Sequence, residues 1–539
     1  MKKTLLSMFM LVLAVTLVLS GCSGKNTESS NSAQGNGSSG GAESTKPVEI
    51  SVFAVQESGI DIPTNKFTKF LEEKFNIKFN WQINPSDGAK EKRQISLASG
   101  DYPEAYLLTA YIDEFSQADV LKYGQQGVLI PLNDLIDKYA PNIKKAMEET
   151  PEMKALYTAP DGNIYGLGAY TECFHCSYPN KMWVNTEWLK KLNLEEPKTT
   201  EEFKAMLQAF KTQDPNGNGK ADEVPLSGSI EDFGVRIVPY LMNAFVYDDD
   251  RNYLNLENGK VVSAAIKPEW REGLAYIKSL YDEGLIDPDF ALSDDFSQAF
   301  AQQVVNSIAG AGTPNTNEPV YNGYYANLKA NNPDAVLEAI DPFSTPDGKH
   351  PKPVYEPIGA YIMVPKTSKN AEAAVKYLNW MADPSNILVL QNGEEGVSYE
   401  MSEDGLPLLL NTPEAQNLLY NYYDYCIILN GKYISTEDPN KNIAANAFDP
   451  DFKDFTVKSI QVGTNDGYTL PRVDIAVDAE IKYAKILEDF EKEMLAKIVT
   501  AKPDQFDKVY DQKVEEYMAM GGKAVMEGKQ AAYDEFYKK

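Results

Sequence analysis

Asp214-Pro215-Asn216-Gly217-Asn218-Gly219-Lys220-Ala221-Asp222-Glu223-Val224-Pro225 sets carboxylate and amide oxygens at alternate positions around a glycine. A hard cation such as calcium takes about 6 to 8 oxygens at roughly 2.3 to 2.6 Å, and a short loop delivers them when every second side chain points inward. Asp214, Asn216 and Asn218 fill the first, third and fifth places of an EF-hand-like loop. Gly219 stands sixth, where the turn is sharpest, and Lys220 follows with a carbonyl oxygen to offer while its ammonium points away. The twelfth place, where an EF-hand has its bidentate Glu, is Pro225, which leaves Asp222 and Glu223 as the candidate substitutes. The plain alternative is a polar turn, since Asp, Asn, Gly and Pro dominate turns that bind nothing. Upstream, Thr199 and Glu202 form a capping box, and Phe203, Met206, Leu207 and Phe210 follow at the spacing of an amphipathic helix. No flanking helix is evident downstream, so the loop is expected to be structural rather than half of a paired sensor.

At the other end, Lys2 and Lys3 precede an apolar run from Leu5 to Leu19 that is short for a membrane span and suits a secretory signal over residues 1–21. Leu19-Ser20-Gly21-Cys22 resembles a bacterial lipobox, in which Cys22 carries the lipid. Residues 22–46 are mainly Ser, Gly, Asn, Glu and Lys and are expected to be a flexible tether. Loss of the signal removes two lysines and leaves 49 basic against 79 acidic residues, a formal charge of −30. Nucleic acid and anionic membrane surfaces are poor partners for such a body. The remaining length exceeds one domain, at about 100 to 200 residues each, and is read as two.

Within the body, Val48 to Val55 alternates as a strand and is followed by a helix carrying Phe67, Phe70, Leu71 and Phe75. Ile77 to Ile83 and Lys90 to Ser99 repeat the pair, an order that implies parallel strands joined by crossovers. Further on, Pro268 opens a helix with Trp270, Leu274, Ile277 and Tyr281 on one face. A strand is expected near Val304 to Ala309, another at Tyr361 to Val364, a helix at Ala371 to Met381, and helix throughout the last sixty or so residues with a break at Gly521-Gly522.

Catalytic signatures are missing. The sequence has no His-Glu-x-x-His and no phosphate-binding G-x-x-x-x-G-K-[ST], its one G-x-S-x-G string, Gly37-Ser38-Ser39-Gly40-Gly41, falls in the polar tether where no strand-to-helix elbow is expected, and its only histidines are His175 and His350. Cys173-Phe174-His175-Cys176 cannot complete a four-ligand zinc site alone, so a local disulfide or two packed thiols are expected, with Cys426 a small core residue. A polysaccharide-processing enzyme and a calcium-stiffened adhesin are the rival classes; the second predicts repeats that the sequence lacks.

Taken in order, the lipobox, the polar tether, Leu97-Ala98-Ser99-Gly100-Asp101-Tyr102-Pro103, Asp161-Gly162-Asn163-Ile164-Tyr165-Gly166, Asn185-Thr186-Glu187-Trp188-Leu189 and the Asp214 loop resemble family 1 extracellular solute-binding proteins. The likeness is to the large lipoproteins of ABC oligosaccharide importers, the alginate-binding proteins among them. Cys173-Phe174-His175-Cys176 departs from that pattern and leaves the nearby pocket geometry open. The resemblance implies a two-lobed periplasmic-binding-protein-like α/β fold with an interlobe hinge and a helical C-terminal region. Residues 47–165 with 313–365 would form one lobe, and 166–312 with 366–539 the other. It implies calcium held by Asp214, Asn216, Asn218, the Lys220 carbonyl, Asp222 and Glu223, with no catalytic residue. An oligosaccharide in the cleft, permease subunits as partners, a lipid anchor on the outer face of the cell membrane and a monomeric body complete the expectation; a peptide is the alternative solute. Sugar rings pack on aromatic faces and their hydroxyls need polar edges, which makes Gln56, Tyr165, Trp183, Tyr321, Tyr324 and Tyr361 the candidate ligand contacts. For each aromatic taken singly the core reading is the stronger one, and only the set points to a cleft.

Overall fold

The computed structural model describes residues 46–56, 62–64, 66–85, 89–106, 117–170, 181–228, 238–242, 244–246, 254–290, 298–314, 318–321, 323–340, 350–351, 358–386, 389–390, 393–403, 407–410, 412–415, 452–464, 467–468, 473 and 477–537. Cys22, Cys173, His175, Cys176, Cys426, the signal segment and nearly all of the tether lie outside them. Chain contacts separate Met1–Lys46 from Pro47–Lys539, and the architecture below belongs to the second unit.

Alternating apolar residues make β1 (Val48–Gln56), with Ile50, Val52 and Ala54 buried. The helix Lys66–Phe75 leads to β2 (Ile77–Pro85), which lies parallel to β1 from Val48↔Ile77 to Gln56↔Pro85. Along β2, Ile77 and Phe79 are buried while Lys78 and Asn80 face solvent. A helix at Ala89–Ser99 precedes β3 (Ala105–Tyr106), which pairs with β1, again parallel. Four short helices intervene before β4 (Gly166–Tyr170); two of them open on Pro141 and Pro151, where a missing N–H is no loss.

The chain then builds a second sheet. β5 (Met182–Asn185) runs into the helix Thr186–Leu192, capped by the Asn185 side chain accepting from Trp188 N. The helix Thr200–Thr212 and the Asp214 loop lead to β6 (Val224–Leu226), and a hairpin of β7 (Leu254–Glu257) and β8 (Lys260–Ser263) follows. The helix Pro268–Asp282 buries Trp270, Leu274 and Ile277, as its spacing predicts. After β9 (Ala309–Gly312) and the helix Tyr324–Asn331, β10 (Leu337–Ile340) completes the order β10-β5-β9-β6. The chain passes through β11 (His350–Pro351) and returns to the first sheet as β12 (Ile358–Met363), giving the order β2-β1-β3-β12-β4. Beyond a hairpin of β13 (Tyr399–Met401) and β14 (Pro407–Leu409), the helix Lys453–Thr464 lies on the second sheet's side, where Phe455 stacks on Trp183 at 5.0 Å. β15 (Gly467–Tyr468) then pairs in parallel with β11.

Several expectations change. Parallel pairing holds for β1, β2 and β3 and for β6 with β9, but β12 is antiparallel to both of its neighbours, and β5 is antiparallel to β9 and β10. Val304 lies in the last turn of a helix, Gln298–Val305, and the strand starts only at Ala309. The last residues form three helices, Asp478–Val499, Phe506–Tyr517 and Lys523–Tyr537, parted at 500–505 as well as at Gly521-Gly522. The sheets also divide the chain at other points than the expected lobes. Residues 324–340 pack and pair with the second sheet, because β10 adds to β5 rather than to β12. Conversely, Val375, Leu378 and Met381 of the helix Ala371–Met381 belong to the core under the first sheet.

Gly310 shows how tightly the second sheet is covered: a Cβ there would sit 2.5 Å from the Phe210 ring and 2.8 Å from the Pro225 carbonyl. A ring can rotate, whereas a backbone oxygen in a sheet cannot move without disturbing its neighbours. We expect Gly310→Ala to destabilise the protein by about 1 to 3 kcal/mol in urea unfolding; a change within error would show the β6–β9 packing to be looser than described.

Candidate functional sites: a cation loop and two sheet edges

The helix that delivers the chain to the Asp214 loop starts as its sequence predicts. Thr199 Oγ1 accepts from Glu202 N at 3.1 Å, while the Glu202 carboxylate accepts from Lys198 N at 2.8 Å, one residue before the position a capping box would use. After Gln213 the loop turns on itself. Gly217 and Gly219 take φ of +71° and +74°, the left-handed region that residues with a Cβ avoid. Asp214 Oδ1 accepts from Asn218 N at 3.1 Å and Oδ2 from Gly219 N at 3.0 Å, so its carboxylate is locked over the turn. Asn216 Oδ1 and Asn218 Oδ1 accept from Asn218 N and Lys220 N. The Lys220 side chain is exposed, as expected.

The acids of the loop differ in their surroundings. Asn218 and Asn216 donate their amide N–H groups to Asp222 at 3.0 to 3.2 Å and hold its carboxyl below its ordinary value. Burial, then the charges of Asp214 and Asp222, push the Glu223 carboxyl up. Its Oε1 is shut off from solvent and has no hydrogen-bond partner. Among the described residues no group of three or more His, Cys, Asp or Glu side chains is gathered closely enough to hold a metal. The loop bonds to itself instead, through the two asparagine amides. Rotating those amides would offer oxygens in place of N–H groups, and the solvent-shielded Glu223 oxygen is a carboxylate oxygen in want of a positive partner. The donor set therefore fits a hard cation in kind.

The loop also has a defined place. It enters β6 at Val224, which pairs with Ala309 at the amino end of β9. Pro225, which has no N–H to give, falls between residues that do bond, Val224 N to Ile308 O and Leu226 N to Leu285 O. Lys191, ion-paired with Glu187, donates to the Pro215 carbonyl at 3.1 Å and ties the loop to the helix Thr186–Leu192.

The carboxyl ends of the strands mark the opposite edge. β1, β2 and β4 end at one edge of the first sheet, toward which the short β3 also runs, and antiparallel β12 begins there, with Ile358 opposite Tyr170. In the second sheet β6, β9 and β10 end where β5 begins, with Gly312 opposite Trp183 and Ile340 opposite Met182. Both the step from β4 to β5 and the step from β10 to β12 thus join these two carboxyl edges. Ligands of α/β sheets bind outside the carboxyl ends of strands.

The aromatic candidates fall mostly elsewhere. Tyr165 is buried in the first core, its hydroxyl donating to Asp161 Oδ2 at 2.6 Å. Tyr361 is buried in the same core, and Tyr324 packs edge-on to Phe300 in the core of the second sheet. Trp183 is fully buried too, although it stands at the carboxyl edge. Gln56 ends β1 and Tyr321 ends the helix Glu318–Tyr321; their side chains lie outside the described residues. Ser227 and Thr313, one residue beyond β6 and β9, were not among the candidates. Both are buried, and their hydroxyls have no hydrogen-bond partner.

A family model for bacterial extracellular solute-binding proteins matches residues 59–387, more than half of the chain. The chain belongs to that family. It is 38% identical over 307 residues to the fructooligosaccharide ABC transporter substrate-binding protein FusA of Streptococcus pneumoniae, a match that spans 56% of this chain and 56% of that relative. Solved structures of FusA, one in complex with kestose and one an EF-hand mutant in complex with fructo-nystose, superpose on this family member with TM-scores of 0.68 at 24% identity, covering 91% of this chain and 99% of theirs. The alginate-binding protein AlgQ2, solved without calcium ion, also gives 0.68, at 21% identity, over 92% of this chain and all of its own. The likeness establishes the two-lobed binding-protein fold.

Glu223 gives a test of the loop that needs no metal. A carboxyl held above its ordinary value favours the fold when protonated, so its ionised form costs stability above that raised value, and the cost fades as pH falls through the unfolded value of about 4.3. In chelator at pH 7, Glu223→Gln is expected to raise the melting temperature, with the gain vanishing near pH 4. A variant less stable at both pH values would contradict the crowding of acids around Glu223.

Proposed function

We propose that this chain is the substrate-binding lipoprotein of an ABC importer, and that it captures a short oligosaccharide between the two carboxyl edges and presents it to the membrane permease. The observation that carries this reading is the pair of chain crossings joining those edges, a connection that lets two sheets hinge about a ligand lying between them. A ligand touching both sides favours the closed form by its differential affinity, and closure is then the state that the permease reads. Membership in a binding family and the lack of catalytic motifs support capture without turnover. Similarity to a protein named for fructooligosaccharides favours a short, uncharged, fructose-containing chain over a peptide.

Cys22 would carry the lipid anchor and residues 22–46 the tether, leaving a monomeric body on the outer face of the membrane. Calcium would be held by Asp214, Asn216, Asn218, the Lys220 carbonyl, Asp222 and Glu223. It would neutralise the acids crowded there and stiffen the second sheet from its amino edge.

In calorimetry the purified protein is expected to bind kestose-sized fructooligosaccharides, and saturation at about 100 times Kd adds roughly 2.7 kcal/mol of stability. Binding of short peptides and of no sugar would overturn the reading, as would release of cleaved sugar. Calcium is expected to raise the melting temperature of the chelated protein, and Asp214→Ala to abolish that rise while leaving sugar affinity in place. A melting curve indifferent to calcium and chelator would contradict the loop assignment.

A further inference from the structure

Two helices packed on the first sheet bring a lysine and a glutamate together at its carboxyl edge. β1 ends at that edge with Gln56, and β2 starts at the other with Ile77 opposite Val48, so the helix Lys66–Phe75 between them begins at the carboxyl edge and descends from it. The helix Ala371–Met381 runs the opposite way. It starts at the amino edge, where Asn370 Nδ2 donates to Glu49 O at 2.9 Å and Glu104, just before β3, accepts from Lys369 N and Asn370 N. Its rings then climb the first helix: Tyr377 meets Phe75 with centroids 5.7 Å apart, and Trp380 meets Phe70 at 6.1 Å. One turn above Phe70, at the first residue of that helix, Lys66 forms an ion pair with Glu394. The pair therefore stands on the side where α/β sheets take ligands.

The loop that carries Glu394 is firmly built. Gly393 and Gly396 take φ of +76° and +78° and let it turn tightly. Glu394 N donates to Ser398 Oγ at 2.7 Å, and Ser398 N and Val397 N donate to Glu394 O at 2.9 and 3.1 Å. Ser398 is buried, and Val397 packs on the first core. On the other side, the buried Thr68 hydroxyl donates to Ile62 O at 2.6 Å and fastens the chain that enters the Lys66 helix. The charged groups themselves reach water, their side chains being 65% exposed for Lys66 and 31% for Glu394. An ion pair so exposed contributes little to folding, and stability does not account for so firm a mounting.

The geometry points to Lys66 and Glu394 as a hydroxyl-binding subsite of the first lobe, which takes a neutral unit of the bound oligosaccharide. The inference rests on the oligosaccharide reading above and adds the residues and the charge class. A carboxylate has about four acceptor sites and an ammonium three donors, more than one mutual contact takes up. Neighbouring hydroxyls of a sugar ring both donate and accept, so one donates to Glu394 while the next accepts from Lys66. Hydrogen bonds to charged groups are the stronger kind, and groups mounted on a fixed backbone lose little freedom in making them. Glu395, exposed on the same loop, sets a second carboxylate beside the first. Two acids then face one ammonium, and a uronate unit is repelled where a neutral one is held.

The test is calorimetry of the full mature chain with kestose and with a trigalacturonate, on the wild type and on Glu394→Ala, Lys66→Ala and Lys376→Ala, alongside ligand-free melting curves. Glu394→Ala is expected to raise Kd for kestose roughly ten- to a hundredfold, and Lys66→Ala at least about threefold. Lys376→Ala breaks an exposed ion pair of the same kind, with Glu372, nearer the amino edge of the sheet, and should leave Kd unchanged. All three ligand-free melting temperatures should stay within about 2 °C of the wild type. Wild-type binding of kestose that either Glu394→Ala or Lys66→Ala leaves unweakened overturns the proposal alone. An equal loss in Lys376→Ala overturns it too, by tracing the effect to surface charge in general. So does a melting temperature of Glu394→Ala or Lys66→Ala that falls beyond that margin, which would make the pair a support of the fold. Tighter binding of trigalacturonate than of kestose contradicts the neutral assignment. If the wild type binds neither sugar, the oligosaccharide reading itself fails, an outcome distinct from the others because no variant is needed to see it.

Discussion

The antiparallel seating of β12 between β3 and β4 is the constraint on which the rest of the structure depends. With Ile358 opposite Tyr170, the strand that leaves the first sheet and the strand that re-enters it meet at one edge. In sequence both lead to the carboxyl edge of the second sheet, and the two sheets cover separate cores. The pairing of β11 with β15 adds a short ribbon, because β11 lies on the return crossing and β15 precedes the C-terminal helices. The helix Asp478–Val499 then ties the two cores together. Its first turn reaches the first core through Ile481 and through Gln125 donating to Asp478 at 3.1 Å, while Met494, Leu495 and Ile498 sit in the second. The chain passes between the two sheets from β4 to β5, from β10 to β12, and again between the helix Ala371–Met381 in the first core and the helix Lys453–Thr464 beside the second sheet.

The Asp214 loop stands apart from that hinge. It enters the second sheet at the amino end of β6, whereas the crossings attach at the carboxyl end. A cation there would relieve the carboxylates crowded about Glu223 and hold the end of the helix Thr200–Thr212 against a three-residue strand. It would act on the rigidity of the lobe and not on the solute. Stiffness on that side matters because hinge closure transmits ligand contact only if each lobe moves as one piece.

Local patterns were legible in the sequence where the physics is local. The alternation of β1, the capped helix after Thr199, the Pro268 helix and the glycine turns of the Asp214 loop all stand where residue spacing puts them. Strand partners were not legible, since nothing near residue 358 says that β12 will run antiparallel beside β3 and not extend the parallel set. The same long-range choice moved β10 to the second sheet and the helix Ala371–Met381 to the first. Tyr165, Tyr324 and Tyr361 lie buried in the cores, the place each aromatic taken singly was expected to occupy.

The central claim is that solute joins two hinged lobes. Small-angle X-ray scattering of the mature protein, with and without saturating fructooligosaccharide, tests it most directly. The account predicts a smaller radius of gyration in the bound state, by closure of one lobe on the other. An unchanged radius in a sample that calorimetry shows to be fully bound would contradict it.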